Sequence, residues 1–474
     1  MPVLHCCALL GRLWGISKDS ALCVEGDNNV RGLIVAFLIL GWVPAILMKP
    51  HIGVLVWSWV SHMIPQFYTY NFARTFPFLV VIFGITVLGM LVTKDRTRFP
   101  AHPIIFVLMV YWLWIIVTTF AGFDPAVSQV KLIHLSKVIV FTIIAAALMQ
   151  SPNRLKSFIW VIALSLGFIA IKGGLFTLLT GGAARVEGAG GMMGDNNQLA
   201  MAMAMFVPLA FHIAKHPPLP ILKWPIIGAS LLVPLAVVGT QSRGGFAALA
   251  AVIFMMILKT KHKFKTLLAI VVLAGVGFNF MPDTWKNRIS STENATEDSS
   301  FVGRVAMWKF SVNLADDNPL VGGGFNVFYV QRARELYMPP GHLARAPHSI
   351  YFEVLAEHGY PGLIIFLTLI FTGFYAGGTQ AKKFRKYEET KWIGDLCAAL
   401  QLSIVGYSVG GLTVNIGTFD IFYHFLAIVV MCQVVGDQLM AGQLTLVGTN
   451  TKINASETKA KWTPGGSAAP QADR

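Results

Sequence analysis

The chain has 474 residues, 55% hydrophobic and only 13% charged, with a formal net charge of +14 at pH 7 and a mean hydropathy of +0.62. A water-soluble protein of this length needs more surface charge, so a soluble two- or three-domain enzyme is excluded. The positive balance therefore reads as lysines and arginines held in cytoplasmic loops, with no nucleic acid as partner.

In chain order the apolar runs cover 33–48, 52–66, 75–93, 103–122, 132–150, 157–180, 197–214, 221–240, 244–258, 266–281, 350–377, 394–412 and 418–437. Most approach the length of a helix that crosses a bilayer. The first two are short and separated only by "MKPH", which leaves two brief crossings or one crossing and a re-entrant piece. The expected fold is an all-α polytopic membrane bundle of about 12 transmembrane helices spanning 31–440, with no internal repeat. Residues 1–30 read as a poorly ordered leader, since "CCALLG" is too short for a signal peptide. Residues 441–474 are polar and aperiodic, and read as a disordered cytoplasmic tail. The five cysteines show no CxxC spacing, so no zinc site or disulfide framework is indicated; Cys397 and Cys432 lie in apolar runs, as packing residues do.

Basic residues alternate along the loops. Lys94, Arg96, Arg98, Arg154, Lys156, Lys215, Lys223, Lys259, Lys261, Lys263, Lys265, Lys382, Lys383, Arg385, Lys386 and Lys391 fall in one set of connections, against only Lys131, Arg185 and Arg243 in the short loops of the other. The positive-inside rule makes the first set cytoplasmic. The second set, including "GGAARVEGAGGMMGDNN", "TQSRGG" and a long loop over 282–349, then faces the opposite side. Within that loop "GRVAMWKFSVNLA" predicts a helix, and "NPLVGGGFN" a glycine-rich turn after it.

The chain lacks HExxH, Asp-x-Asp and Gly-Lys, so zinc hydrolase, metal-dependent sugar-nucleotide transferase and P-loop chemistry have no residues to carry them. What remains is a set of cations on the non-cytoplasmic side. Arg243 follows an apolar run and precedes two glycines that let a ligand approach the backbone; a lone arginine there also serves as a headgroup anchor. Arg304 sits on the loop helix, where an ordinary salt bridge is the plainer role. Lys172 lies inside an apolar run, a costly place for an ammonium and thus a functional candidate. Arginine suits a phosphate because its planar fork of donors is always charged. Together these cations suit a lipid-linked pyrophosphate. Pro347 predicts a helix start with His348 in its first turn, sharing one side with Tyr351, Phe352 and Leu355 while Glu353 and Glu357 pair on another. A histidine there also serves simply to bond backbone or water. A secondary transporter is the reading from a different class; Lys172 with "KGG" favours it, but no second repeat accompanies them.

"SRGG" after an apolar run, "GRVAMW" in a large loop, "GDNNQLAMAM" after a glycine-rich loop and "PHSIYFEVLAEHGYPGL" opening the next helix resemble the O-antigen ligase and O-antigen polymerase superfamily, over residues 160 to 435. The segment "HIGVLVWSWVSHMIPQ" resembles a branch named as O-glycosylation ligases. The resemblance implies a glycosyltransferase of the bacterial inner membrane, multi-pass, with its active site facing the periplasm. It implies inverting, metal-independent transfer without a cofactor, from undecaprenyl-pyrophosphate-linked glycan to a sugar hydroxyl of lipid A-core. It also implies membrane lipids as neighbours. O-antigen polymerase and protein O-oligosaccharyltransferase use the same donor and remain alternatives. The matching positions are His348 as the catalytic residue and Arg243 and Arg304 on the pyrophosphate, with Arg185 carried over from its glycine-rich loop; Lys172 joins these cations by its place in the apolar run, apart from the resemblance.

Overall fold

Proline and a capping side chain open three successive long helices. Pro103, Pro125 and Pro152 each occupy the first helical position, where a missing N–H costs nothing. His102, Asp124 and Ser151 precede them and accept hydrogen bonds from the first-turn amides. The computed structural model describes residues 25–442 except 71, 95–98, 261, 266, 269–298 and 344. The apolar run 266–281, the leader to residue 24, the tail from 443 and the first part of the 282–349 loop lie outside the described residues.

The principal helices are α1 (Glu25–Leu40), α2 (Val43–Met48), α3 (Pro50–Met63), α4 (Phe78–Val92), α5 (Pro103–Ala121), α6 (Pro125–Leu148), α7 (Pro152–Leu179), α8 (Asn196–Lys215), α9 (Lys223–Gly239), α10 (Arg243–Lys259), α11 (Ser299–Asp317), α12 (Gln331–Tyr337), α13 (Ile350–Phe384), α14 (Lys391–Gly410) and α15 (Asp420–Met440). Every regular element among the described residues is helical. Among the described residues nine segments are long and apolar enough to cross a membrane, and the apolar helix Phe78–Val92 is shorter. The first two apolar runs resolve unequally. Val30–Met48 has the length of a span, whereas α3 has 14 residues, about 21 Å of rise, and falls short of a bilayer core of about 30 Å.

Helix α8 occupies the centre: every residue from 199 to 210 is buried. Helix α14 comes close to it because Gly406 and Gly410 recur on one face, the small-residue spacing that lets two helix backbones approach. A Cβ at Gly410 would stand 1.9 Å from Met201 Sδ. Cys397 and Cys432 are buried, as packing residues would be.

The helical path of α13 breaks at Gly359, whose φ of 66° and ψ of −172° are not helical, and Pro361 follows two residues later. The break leaves carbonyls without their usual partners. Each finds another donor. Gly323 N donates to Ala356 O at 2.7 Å and Gly324 N to Glu357 O at 2.9 Å, while Trp114 Nε1 donates to His358 O at 3.0 Å. Tyr360 N donates instead to Pro319 O at 2.9 Å. The turn "NPLVGGGFN", predicted as a connector, thus completes a broken membrane helix and seats α11 and α12 on the bundle. The predicted helix over "GRVAMWKFSVNLA" is present as part of α11.

Candidate active site

Asp195 and Ser242 cap the two helices that build the site. Asp195 Oδ1 accepts from Asn197 N at 2.9 Å and Gln198 N at 3.2 Å. Ser242 Oγ accepts from Gly245 N at 3.1 Å and donates to Asn197 Oδ1 at 2.7 Å. Asn196 Nδ2 donates to Thr240 O at 3.0 Å. These bonds lash the N-termini of α8 and α10 side by side, so their positive dipole ends add. The glycine-rich loop before α8 joins them through Val186 N to Gly239 O at 2.8 Å and Gln241 Nε2 to Gly182 O at 3.2 Å.

These elements, with α11, enclose a cavity of about 260 Å³ lined by Arg185, Asn196, Asn197, Gln241, Arg243, Gly244, Arg304 and Thr413. Three guanidiniums from segments far apart in sequence therefore line one space, and among the described residues its lining contains no carboxylate. Arg185 stands 4.0 Å from Glu187, which is largely exposed. Lys172 is not in the lining; its ammonium lies 5.2 Å from the centroid of the Tyr68 ring. The glycines after Arg243 also make room for neighbouring protein: a Cβ at Gly244 would stand 1.9 Å from Thr413 Oγ1 and one at Gly245 2.3 Å from Ala200 Cβ, while Gly244 itself lines the cavity.

His348 departs from the expected first turn. The helix begins at Ile350, and His348 has a φ of 49°, a left-handed conformation that a right-handed helix cannot include. It therefore does not share a helical face with Tyr351, Phe352 and Leu355. Such a backbone costs of order 1–3 kcal/mol and persists where the surroundings fix it. Here both flanks are pinned: Trp308 Nε1 donates to Pro347 O at 2.9 Å, and Ile350 N donates to Gly411 O at 2.8 Å. Trp308 also stacks on Phe352, with ring centroids 5.0 Å apart.

The imidazole is half-buried. Burial, and then the Arg304 guanidinium, hold its pKa below the ordinary 6.5, while the Asp195 carboxylate pulls the other way. His348 is thus neutral at pH 7 and able to accept a proton beside the arginine cavity. Asn196, Asn197, Gln241 and Thr413 complete the lining without having been singled out in the sequence. The two asparagines lie in "GDNNQLAMAM", but Gln241 and Thr413 carry no pattern that would have marked them. Among the described residues no group of three or more His, Cys, Asp and Glu is placed to hold a metal ion.

Fold and site together define a multi-pass helical membrane protein with a cationic cavity where several interhelical loops meet. Residues 228–367 match the O-antigen ligase family, and residues 29–218 match a family of unknown function. The match over 228–367 supports membership of the O-antigen ligase superfamily and indicates, at the level of that family, glycosyl transfer of the ligase or polymerase type. Curated proteins compared with the chain give no match. The cavity draws Arg185, Asn196 and Asn197 from the first matched segment and Gln241, Arg243, Gly244 and Arg304 from the second.

Proposed function

We propose that this protein transfers an O-antigen glycan from undecaprenyl pyrophosphate to a sugar hydroxyl of lipid A-core, with inversion, on the periplasmic face of the inner membrane. The observation that carries the proposal is the convergence of Arg185, Arg243 and Arg304 on one cavity, with His348 in electrostatic reach of Arg304. In this reading Arg243 and Arg304 grip the pyrophosphate, Arg185 closes the glycine-rich side, and Lys172 is a more distant cation. Fixed cations stabilise a leaving pyrophosphate in the way a metal would. His348 takes the proton of the acceptor hydroxyl as its oxygen bonds the anomeric carbon. The bond from that carbon to the pyrophosphate oxygen breaks, and its electron pair leaves with the phosphate. General-base help of this kind is worth about 10²–10⁴ in rate.

Purified protein supplied with lipid-linked donor and lipid A-core tests the reading. His348→Ala should bind donor as the wild type does while transfer falls at least about 100-fold, and excess chelator should leave the wild-type rate unchanged. Transfer by His348→Ala at near the wild-type rate would make the imidazole structural. The acceptor is tested by deleting the gene and resolving the glycans on gels. Loss of a ligase leaves long polymer on the carrier and none on lipid A, whereas loss of a polymerase leaves lipid A capped with a single repeat.

A further inference from the structure

A buried charged cluster at the start of α13 lies outside the cavity, and the transfer chemistry above does not use it. Lys131 Nζ, on α6, donates to Glu353 Oε1 at 2.7 Å and to Glu357 Oε1 and Oε2 at 2.7 and 2.9 Å. Lys131 also lies 5.2 Å from the centroid of the Phe325 ring. The two glutamates are not equivalent. Glu357 Oε1 accepts a further bond from Asn326 N at 2.9 Å, so both its oxygens are engaged in seating the glycine-rich turn. Glu353 uses one oxygen on Lys131, and its Oε2 is buried without a hydrogen-bond partner, although the residue is only 7% exposed. An unmet buried carboxylate oxygen is costly unless its charge has a use.

The helix register says where that charge is directed. Side chains on a helix lean toward its N-terminus, and Glu353 stands in the first turn of α13, so it leans toward Ser349 and His348. Ser349 Oγ and Asn415 Oδ1 are also buried without partners, and Gly417 lies against the Glu353 carboxylate.

We propose that Glu353 is a positioning residue for His348: its carboxylate, anchored at one oxygen by Lys131, supplies the negative charge that stabilises the imidazolium formed when His348 takes the acceptor's proton. The inference rests on the function proposed above. The proton moves from the acceptor oxygen to the imidazole and stays there until it is released; Glu353 neither gains nor loses one. The charges facing His348 are Arg304 and Arg345 on one side of the balance and Asp195 and Glu353 on the other. Those facing Glu353 are Lys131 and Glu357, with the phenols of Tyr111, Tyr407 and Tyr423 in electrostatic reach. Removing Glu353 leaves the cations around His348 opposed by Asp195 alone.

The test compares Glu353→Gln with the wild type by two independent readouts. The first is the pH dependence of acylation of His348 by diethyl pyrocarbonate, followed on its own peptide by mass spectrometry; it reports neutral imidazole without needing any substrate. Its midpoint should fall by about half a pH unit or more in Glu353→Gln. The second is transfer, whose plateau should fall about tenfold with the donor KM unchanged. An unmoved acylation midpoint overturns the inference, whatever the rate does. A shifted midpoint in a protein that shows no transfer even as wild type supports the Glu353–His348 coupling and counts against the proposed function. If Glu353→Gln does not accumulate, Glu353→Asp decides: the retained charge predicts the wild-type midpoint and at least half the plateau rate. A folded Glu353→Asp with transfer abolished shows that shape rather than charge matters, and also overturns it.

Discussion

The two ends of the bundle treat their cations in opposite ways. At one end the Asp395 carboxylate stands among two cations and an imidazole, with Lys215 Nζ at 2.5 Å, Arg385 Nε at 2.7 Å and His216 Nε2 at 2.9 Å. At the other end Arg185, Arg243 and Arg304 surround a cavity whose lining, among the described residues, holds no acid. A carboxylate at the centre makes a brace, joining α14 to α8 and to the end of α13. A cavity at the centre makes a receptor for an anion from outside. Number of cations does not separate a structural cluster from a binding site; what stands between them does.

That contrast is broken most severely at the cavity. Arg304→Ala should lower transfer about 100- to 1,000-fold, the usual cost of removing one preorganised donor from a developing negative charge. Arg243→Lys should be nearly as poor, because an ammonium does not reproduce the guanidinium fork. Both proteins should elute from size exclusion as the wild type does. Full activity in Arg243→Lys would remove the direct phosphate contact.

The next effect is on pH. Because burial and Arg304 hold the His348 pKa below 6.5, the imidazole is already neutral at pH 7. The acidic limb of transfer should then be centred below pH 6.5, with the rate falling about tenfold per unit beneath the depressed pKa. An acidic limb centred at or above 6.5 would show that this histidine does not set the rate.

Asp395→Asn should produce the smallest change, and of a different kind. Breaking a buried ion cluster costs several kcal/mol, but Lys215 and Arg385 are about half exposed and His216 about a third. The expected loss is therefore about 1–2 kcal/mol of stability, read as a lower melting temperature in detergent. Transfer per folded molecule should be unchanged. A catalytic defect at constant stability would erase the distinction between the two ends.

Helix positions were legible in the sequence because apolar length and capping chemistry are local. Asp124–Pro125 and Ser151–Pro152 open helices several residues before the apolar runs themselves begin, since a cap and an N1 proline start a helix on polar residues. Arg243 and His348 were legible as candidates by type and by place near the ends of apolar runs, and Arg304 by type and by its place on the loop helix. Their convergence was not, because it depends on how α8, α10 and α11 pack. The partner of the paired glutamates escaped for the same reason: Lys131 is more than 200 residues from Glu353. The backbone of His348 was misread as helical. Proline at position 347 favours a helix start, but the Trp308 and Gly411 contacts that hold the chain there are tertiary.

The most direct measurement is the binding of glycan-free undecaprenyl pyrophosphate to the purified protein in lipid nanodiscs, comparing wild type, Arg243→Lys, Arg304→Ala and Asp395→Asn. It needs neither acceptor nor turnover, and so isolates the anion site. Binding should weaken about tenfold or more in both arginine variants, and should match the wild type in folded Asp395→Asn. Equal affinity in all four proteins would contradict the assignment of the arginine cavity to the donor's pyrophosphate.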